Sequence, residues 1–394
     1  LNQRILHKDV QDFIQENVTS DITKLIFKGS PFDEVTIQEI AQQIVGKQKC
    51  LQKLPTWFQT ENIYFPPKLN LEQTSSETTA NYKSSLVKGH RLIDITGGFG
   101  VDSVAFSASF DQVIHCEISP NLSKIAKHNF TQLGIQNIET VVGDGLDFIR
   151  QSPLRFDCMY VDPSRRNDAK GKVFLLKDCE PNVPENLDIF FEKSDQILIK
   201  VSPILDITSA IHELKHVKEV HVVAVLGEVK EVLCLLRKGH SGSIEMRTVN
   251  IQKNDRQNFN FQIDIPVEST YSLPKKFLYE PNAAILKSGG FHQVSKQFHV
   301  DKLHPHSHLY TSVDLIKFPG RVFKIVETTS YDKKYIKKQL KEGKANITTR
   351  NFPKTVQQIR KELKCKDGGH QYLFFTTNIK GQLICIFCEK IIRH

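Results

Sequence analysis

The chain has 394 residues, with 53 Lys and Arg against 44 Asp and Glu for a net charge of +9. That length exceeds the usual reach of a single core, so two to four domains are expected. No apolar run of about 18 residues is there to cross a bilayer, and the opening LNQRILHKDVQDF, which starts at Leu1 and not Met, has no signal-like apolar segment, so the expected location is cytoplasmic and off the membrane.

Residues 1–85 read as a helical region. DVQDFIQENV and TIQEIAQQIVGKQKCLQKL place apolar residues at helical spacing, and the second run stops at Pro55. After the loop YFPPKLN comes LEQTSSETTANYKSSLV, where Thr74 and Glu77 have the spacing of a capping box.

From 86 to 240, strand-like and helical runs alternate. The strands are RLIDIT, QVIHCEI, IETVVGD, FDCMYVD, QILIKVS, VHVVAVL and EVLCLLRK, with helical candidates in the first five gaps. Such alternation predicts an α/β, doubly wound parallel sheet. The last two strands are joined by only LGEVK, which makes the final strand antiparallel. Residues 241–320 read as a small mixed domain that opens on the hairpin IEMRTVNIQ and FNFQIDIPVE. Residues 321–394 then read as a separate α/β module. This last stretch holds 17 Lys and Arg against 6 Asp and Glu, a surplus of 11, so residues 1–320 carry −2. Basicity concentrated in one module favours a polyanionic partner, foremost RNA.

Chemistry gathers at the ends of the first five strands. The first ends in Asp94-Ile-Thr96-Gly97-Gly98-Phe99-Gly100-Val-Asp102. Glycines between a strand and its helix let backbone approach a ligand closely, and open sheets bind ligands at strand carboxyl ends. Glu117, 23 residues after Asp94, is placed to accept both hydroxyls of a ribose, with Ile118 beside it. Asp144-Gly145 ends the third strand, where an adenine amino group would donate. A dinucleotide fingerprint would need glycine at position 103, which is Ser103. Asp94 beside the loop suits a cationic ligand carrying an amino group and a sulfonium.

DITGGFG, CEIS, GDGLDFI and VDPSRR in this register resemble the class I S-adenosylmethionine-dependent methyltransferases. LEQTSSETTANYK, DITGGFGVDS and YVDPSRR, together with the basic module, resemble a bacterial group of RNA methyltransferases with a THUMP-like domain. The resemblance implies a Rossmann-like seven-stranded sheet, a small ferredoxin-like domain at 241–320 and a C-terminal THUMP-like α/β domain at 321–394. It also implies S-adenosylmethionine as cofactor, held by Asp94, Thr96, Gly97, Gly98, Phe99, Gly100, Asp102, Glu117, Ile118, Asp144 and Gly145. Asp162, Pro163, Ser164 and Arg165 stand at the catalytic motif. Amine-directed members have a second proline and an aromatic residue where Ser164 and Arg165 stand here. Arginine stacks on bases or holds phosphates, so Arg165 and Arg166 are candidate substrate contacts, against the alternative of pairing with acids such as Asp168. Lys200 ends the fifth strand and either contacts substrate or solvates the strand terminus. Lys334, Lys338 and Lys341 lie along one helix of the basic module as candidate RNA contacts. No metal is expected. Cys385 and Cys388 fall at i, i+3 on a strand, and the histidines 292, 299, 304, 306 and 308 lack ligand spacing. Nor does any obligate protein partner emerge. The reading is an RNA methyltransferase, with a non-catalytic RNA-binding scaffold and a small-molecule methyltransferase as alternatives.

Overall fold

The computed structural model describes residues 1–165, 175–340 and 343–391. It divides into two compact units, Leu1–Glu219 with Lys230–Gly242, and Val220–Val229 with Ser243–His394.

The first unit opens with α1 (Lys8–Glu16), α2 (Ile22–Lys28), α3 (Ile37–Lys53), α4 (Pro55–Gln59), α5 (Lys68–Gln73) and α6 (Glu77–Ser84). A capping box starts α3: the Glu39 amide donates to Thr36 Oγ1 at 3.2 Å, and Glu39 Oε2 accepts from the Thr36 amide at 2.9 Å. Pro55, lacking an amide hydrogen, stands at the first position of α4 and so separates the two helices. The box expected at Thr74 and Glu77 does not form. Thr74 ends α5, and Ser76 caps α6 by accepting from the Thr79 amide at 3.2 Å. Glu77 turns to α4 instead, accepting from the Thr56 amide at 2.7 Å and its hydroxyl at 3.0 Å, because the first amides of that helix have no intrahelical partner.

Seven strands follow: β1 (Gly89–Asp94), β2 (Phe110–Glu117), β3 (Ile138–Val142), β4 (Cys158–Val161), β5 (Gln196–Val201), β6 (Val217–Val225) and β7 (Glu228–Arg237). Between them run α7 (Val101–Phe106), α8 (Pro120–Gln132), α9 (Gly145–Gln151), α10 (Val183–Lys193) and α11 (Ile207–Glu213). Within the first unit β1 pairs in parallel with β2 and β4, β2 with β3, and β4 with β5, while β7 lies antiparallel on β5. The chain changes direction of winding between β1 and β4, which is where open sheets form their ligand crevice. The buried runs Leu92–Ile93, Val113–Ile114 and Ile197–Ile199 show why these strands read as continuously apolar: both faces are covered. Ile40, Ile44, Trp57 and Phe65 of the N-terminal helical region share one core with Phe99, Val101, Leu122 and Ile125, so that region packs on the loop and helices that follow β1 and β2.

The second unit contains the hairpin β8 (Glu245–Ile251) and β9 (Arg256–Gln262). It continues with β10 (Phe277–Pro281), α12 (Ala283–Ser288), α13 (Phe291–Phe298), β11 (Asp301–Lys302), β12 (Tyr310–Ser312), β13 (Gly320–Ser330), α14 (Lys333–Gln339), β14 (Asn346–Arg350), α15 (Val356–Leu363), β15 (Tyr372–Thr377) and β16 (Leu383–Lys390). One sheet in the order β11-β12-β10-β13-β16-β15-β14 draws strands from both sides of residue 320. Its faces carry separate cores. Cys385 packs with Ile336, Ile359 and Phe375, and Cys388 with Leu278, Phe323 and Phe374, as the strand's two-residue period requires. Ile336 seats α14 on the sheet, and its neighbour Tyr335 is exposed. Among the described residues no helix is long and apolar enough to cross a membrane, and no three His, Cys, Asp or Glu side chains gather to hold a metal ion.

Candidate active site

The carboxyl ends of β1 to β5 bring Asp94, Glu117, Asp144, Asp162 and Lys200 to one edge of the sheet. The loop after β1 lies close on its neighbours. A Cβ on Gly97 would stand 2.2 Å from the His115 ring, and one on Gly145 would stand 2.4 Å from the Ile95 carbonyl oxygen. Gly98 (φ +57) and Gly100 (φ +91) have left-handed backbone that glycine adopts without strain, and a Cβ on Gly98 would meet nothing closer than the Thr96 carbonyl oxygen at 3.9 Å.

Glu117 closes the loop from β2. Its Oε2 accepts from the Gly98 amide at 2.9 Å and its Oε1 from the Ser119 amide at 2.7 Å, so each oxygen keeps a lone pair for a further donor. Ile118 is 71% exposed beside it, an apolar surface at the mouth of the crevice. Asp144 caps α9, accepting from the Leu146 amide at 2.7 Å. Thr96 ties the loop to the next strand, its hydroxyl accepting from the Asp162 amide at 2.7 Å.

Asp94 is buried. It accepts from the Thr96 amide at 3.1 Å and the Ser103 hydroxyl at 2.7 Å. Burial lifts its pKa to about 7, with Asp102 and Asp162 adding to the rise against the bonds from Ser103 and Thr96. The Ser103 hydroxyl also meets His115 Nδ1 at 3.0 Å, and burial lowers that imidazole to about 4, holding it neutral beneath the loop. Phe99 points away from the crevice, buried against Trp57 with ring centroids 4.5 Å apart.

Asp102 belongs to a network that the sequence did not announce. Its Oδ2 accepts from Ser75 at 2.8 Å and from the Tyr160 hydroxyl at 2.9 Å, and its Oδ1 lies 3.1 Å from Lys83 Nζ. Lys83, with a side chain 0% exposed, also reaches Glu231 at 2.8 Å and Ser75 at 3.0 Å. Burial works against charge on both acids. For Asp102, Lys83 and Lys200 outweigh it and hold the pKa below the usual value; for Glu231, burial prevails over the same two lysines and the pKa is raised. Lys83 stands in an unremarkable helical run, so no signal marked it. Glu231, a charge heading the apolar run EVLCLL, was the visible clue.

Lys200 does not solvate the strand end. Its Nζ donates to Asp162 Oδ2 at 2.6 Å. Burial opposes its charge, yet Asp162, Asp102 and Glu231 together raise its pKa above the ordinary lysine value. Lys53, held by the Leu71 and Glu72 carbonyls, is lowered to about 8 by burial and then by the charge of Lys200. Pro163 is half-buried, and Ser164 and Arg165 form a short antiparallel pair with Cys179 and Glu180. Arg166 and Lys341 lie outside the described residues, as does the Arg165 side chain. Lys334 and Lys338 are exposed on α14, whereas their neighbours Lys333 and Lys354 pair with Glu362.

Comparison with known proteins adds three matched regions. A family described as RNA cap guanine-N2 methyltransferase matches residues 89–237, a ferredoxin-like domain matches 277–319, and a THUMP domain-like family matches 320–390. An uncharacterised S-adenosylmethionine-dependent methyltransferase of Mycobacterium tuberculosis is 22% identical, over 75% of this chain and 80% of its own. An uncharacterised RNA methyltransferase of Listeria monocytogenes is 27% identical, over 42% of this chain and 35% of its own. The crystal structure of a presumed methyltransferase from Porphyromonas gingivalis W83 is 29% identical, covers 99% of both chains and superposes with a TM-score of 0.88.

Proposed function

We propose that the chain, an S-adenosylmethionine-dependent methyltransferase with ferredoxin-like and THUMP-like domains, methylates RNA in the cytoplasm. The crevice fits the cofactor. Gly98 leaves room for the methionine portion, while Gly97 and Gly100 let the loop lie close on His115 and Phe130, Glu117 has lone pairs for the ribose hydroxyls, and Ile118 offers an apolar wall to adenine, whose amino group Asp144 accepts. The cofactor supplies a methyl group already activated on a sulfonium.

What remains for the protein is mainly positioning. Asp162 is the carboxylate at the mouth, its amide tied to Thr96 and its Oδ2 to Lys200. Oδ1 and the Pro163 carbonyl then accept from the nucleophilic group of the substrate and aim its lone pair. Lys200 orients Asp162 and so fixes the carboxylate's direction. Arg165, Arg166 and the exposed α14 lysines hold the RNA. The observation that carries the proposal is the Asp162–Lys200 pair at the end of β4, one strand from the glycine loop, in a chain that also bears a THUMP-like domain. Mass spectrometry of nucleosides from RNA of cells with and without the gene tests it: one methylated nucleoside disappears with the gene, and an unchanged profile contradicts the RNA substrate.

A further inference from the structure

The second unit holds a cleft of about 1130 Å³ built from β8 to β10, β13 and the end of β14. That matches the upper end of the roughly 300–1,000 Å³ of pockets that enclose small molecules and is room enough for a segment of polymer.

At its base lies Glu280, whose side chain is 4% exposed. Two arginines clamp it from different strands. Arg321 Nε donates to Oε2 at 2.6 Å, and Arg350 Nη2 donates to Oε1 at 2.8 Å. Each guanidinium is fixed a second time, Arg321 by Thr348 Oγ1 at 3.3 Å and Arg350 by the Thr349 carbonyl at 3.1 Å. Arg321 also lies 5.5 Å from the Phe323 ring centroid and 5.9 Å from that of Phe374. Gly320 permits the close approach, since a Cβ there would stand 2.1 Å from the Glu280 carbonyl oxygen.

A buried carboxylate needs one cation to be neutralised; here it has two. One positive charge is left over on a pair of rigid, planar donors that remain about 40% exposed to the cleft, an arrangement matched to the oxygens of a phosphate. Arg256, Lys317 and Lys390 line the same cleft and are opposed there, besides Glu280, by Asp255. Along one wall Gln252, Gln257 and Asn258 present a row of side-chain amides that are partly or fully exposed. Gln257 is held in place by its Oε1, which accepts from the buried Asn250 at 3.0 Å and the buried Asn282 at 3.2 Å. Side-chain amides pair with the edges of unpaired bases, which an RNA duplex keeps inaccessible in its deep, narrow groove.

We infer that this cleft binds a single-stranded segment of the RNA substrate, with Arg321 and Arg350 on its phosphates and the amide row on its base edges. The inference rests on the RNA reading above and makes the cleft a holding site distinct from the point of methyl transfer.

The test is fluorescence anisotropy of the full chain with a ~12-nucleotide single-stranded RNA, titrated between about 50 and 200 mM salt. Two variants separate folding from binding. Arg321→Gln/Arg350→Gln/Glu280→Gln removes the clamp without leaving a lone buried carboxylate, and Lys317→Ala/Lys390→Ala leaves the clamp intact. The first is expected to weaken binding by about tenfold or more, as loss of charge-assisted bonds implies. It should also flatten the slope of log affinity against log salt by about 1.4, from two phosphate contacts at about 0.7 each. The second is expected to flatten the slope as well. Wild-type affinity and slope in both variants would overturn the cleft assignment while leaving the RNA reading standing. Failure of the wild-type chain to bind any RNA would remove that reading itself. Equal binding of the same sequence as a duplex would overturn the single-strand assignment, and tight binding of poly-glutamate lost in the same variants would give the cleft to an acidic protein.

Discussion

Replacing Lys83 by methionine keeps the bulk of a fully buried side chain and removes the cation that Asp102 and Glu231 share. In the native chain Nζ stands 2.8 Å from Glu231 and 3.1 Å from Asp102, and the Glu231 side chain is 2% exposed. Breaking a buried pair from one side leaves an uncompensated charge and costs about 3–5 kcal/mol. At about 2–4 °C per kcal/mol for a unit of this size, the first unit's Tm is expected to fall by roughly 6–20 °C. The loss depends on pH. Burial already raises Glu231 above its usual value, and without Lys83 it rises further. A folded-state pKa raised above the unfolded one gives stability that is present at low pH and lost as pH rises through the folded value. The penalty is therefore larger at pH 8 than at pH 5.5, and the double variant Lys83→Met/Glu231→Leu recovers most of it. Calorimetry of the full chain at the two pH values measures both effects. A Tm change within about 2 °C at pH 8, or the same change at both pH values, would refute the claim that this network holds the floor of the site.

Three further outcomes are expected. Gly145→Ala brings a Cβ to 2.4 Å from backbone of Ile95, so it is expected to cost about 1–3 kcal/mol in stability and to weaken cofactor binding, both visible by thermal shift with and without S-adenosylmethionine. Ile118→Ser removes the exposed apolar wall, and a loss of about 1–2 kcal/mol, roughly a tenfold rise in cofactor Kd, is expected in calorimetric titration. Asp94 is raised from 3.8 to about 7, so it stabilises the folded chain below its unfolded pKa and loses that contribution as pH rises through about 7. Asp94→Asn has no such proton to lose, and its stability relative to wild type should be greater at pH 8 than at pH 5; no difference between the two would count against a protonated Asp94.

The sheet was legible because its strands are covered on both faces. Runs such as QILIKVS and EVLCLLRK are built on the unbroken apolar stretches ILI and VLCLL, and the short link LGEVK already implied an antiparallel final strand, which β7 is on β5. The crevice was legible for a related reason: glycines and acids placed just after apolar runs fall at strand ends by counting. Side-chain direction was not. Phe99 and Asp102 sit in the loop motif, yet Phe99 turns to Trp57 and Asp102 spends both oxygens inside the core. Thr74 had the spacing of a cap, but Ser76 lay nearer the first helical turn and Glu77 found the free amides of α4. The Glu280 clamp joins residues 41 and 70 positions apart, a separation that no local pattern carries.

The most direct test of the account is transfer of a labelled methyl group from S-adenosylmethionine to RNA isolated from cells lacking the gene, with the wild-type chain and Asp162→Ala in parallel. Wild type is expected to label this RNA and to label RNA from cells carrying the gene far less. Asp162→Ala is expected to bind the cofactor as wild type does yet transfer no methyl. Full activity of Asp162→Ala would contradict the assignment of that carboxylate, and an absence of label in any RNA, from a chain that binds the cofactor, would contradict the central claim.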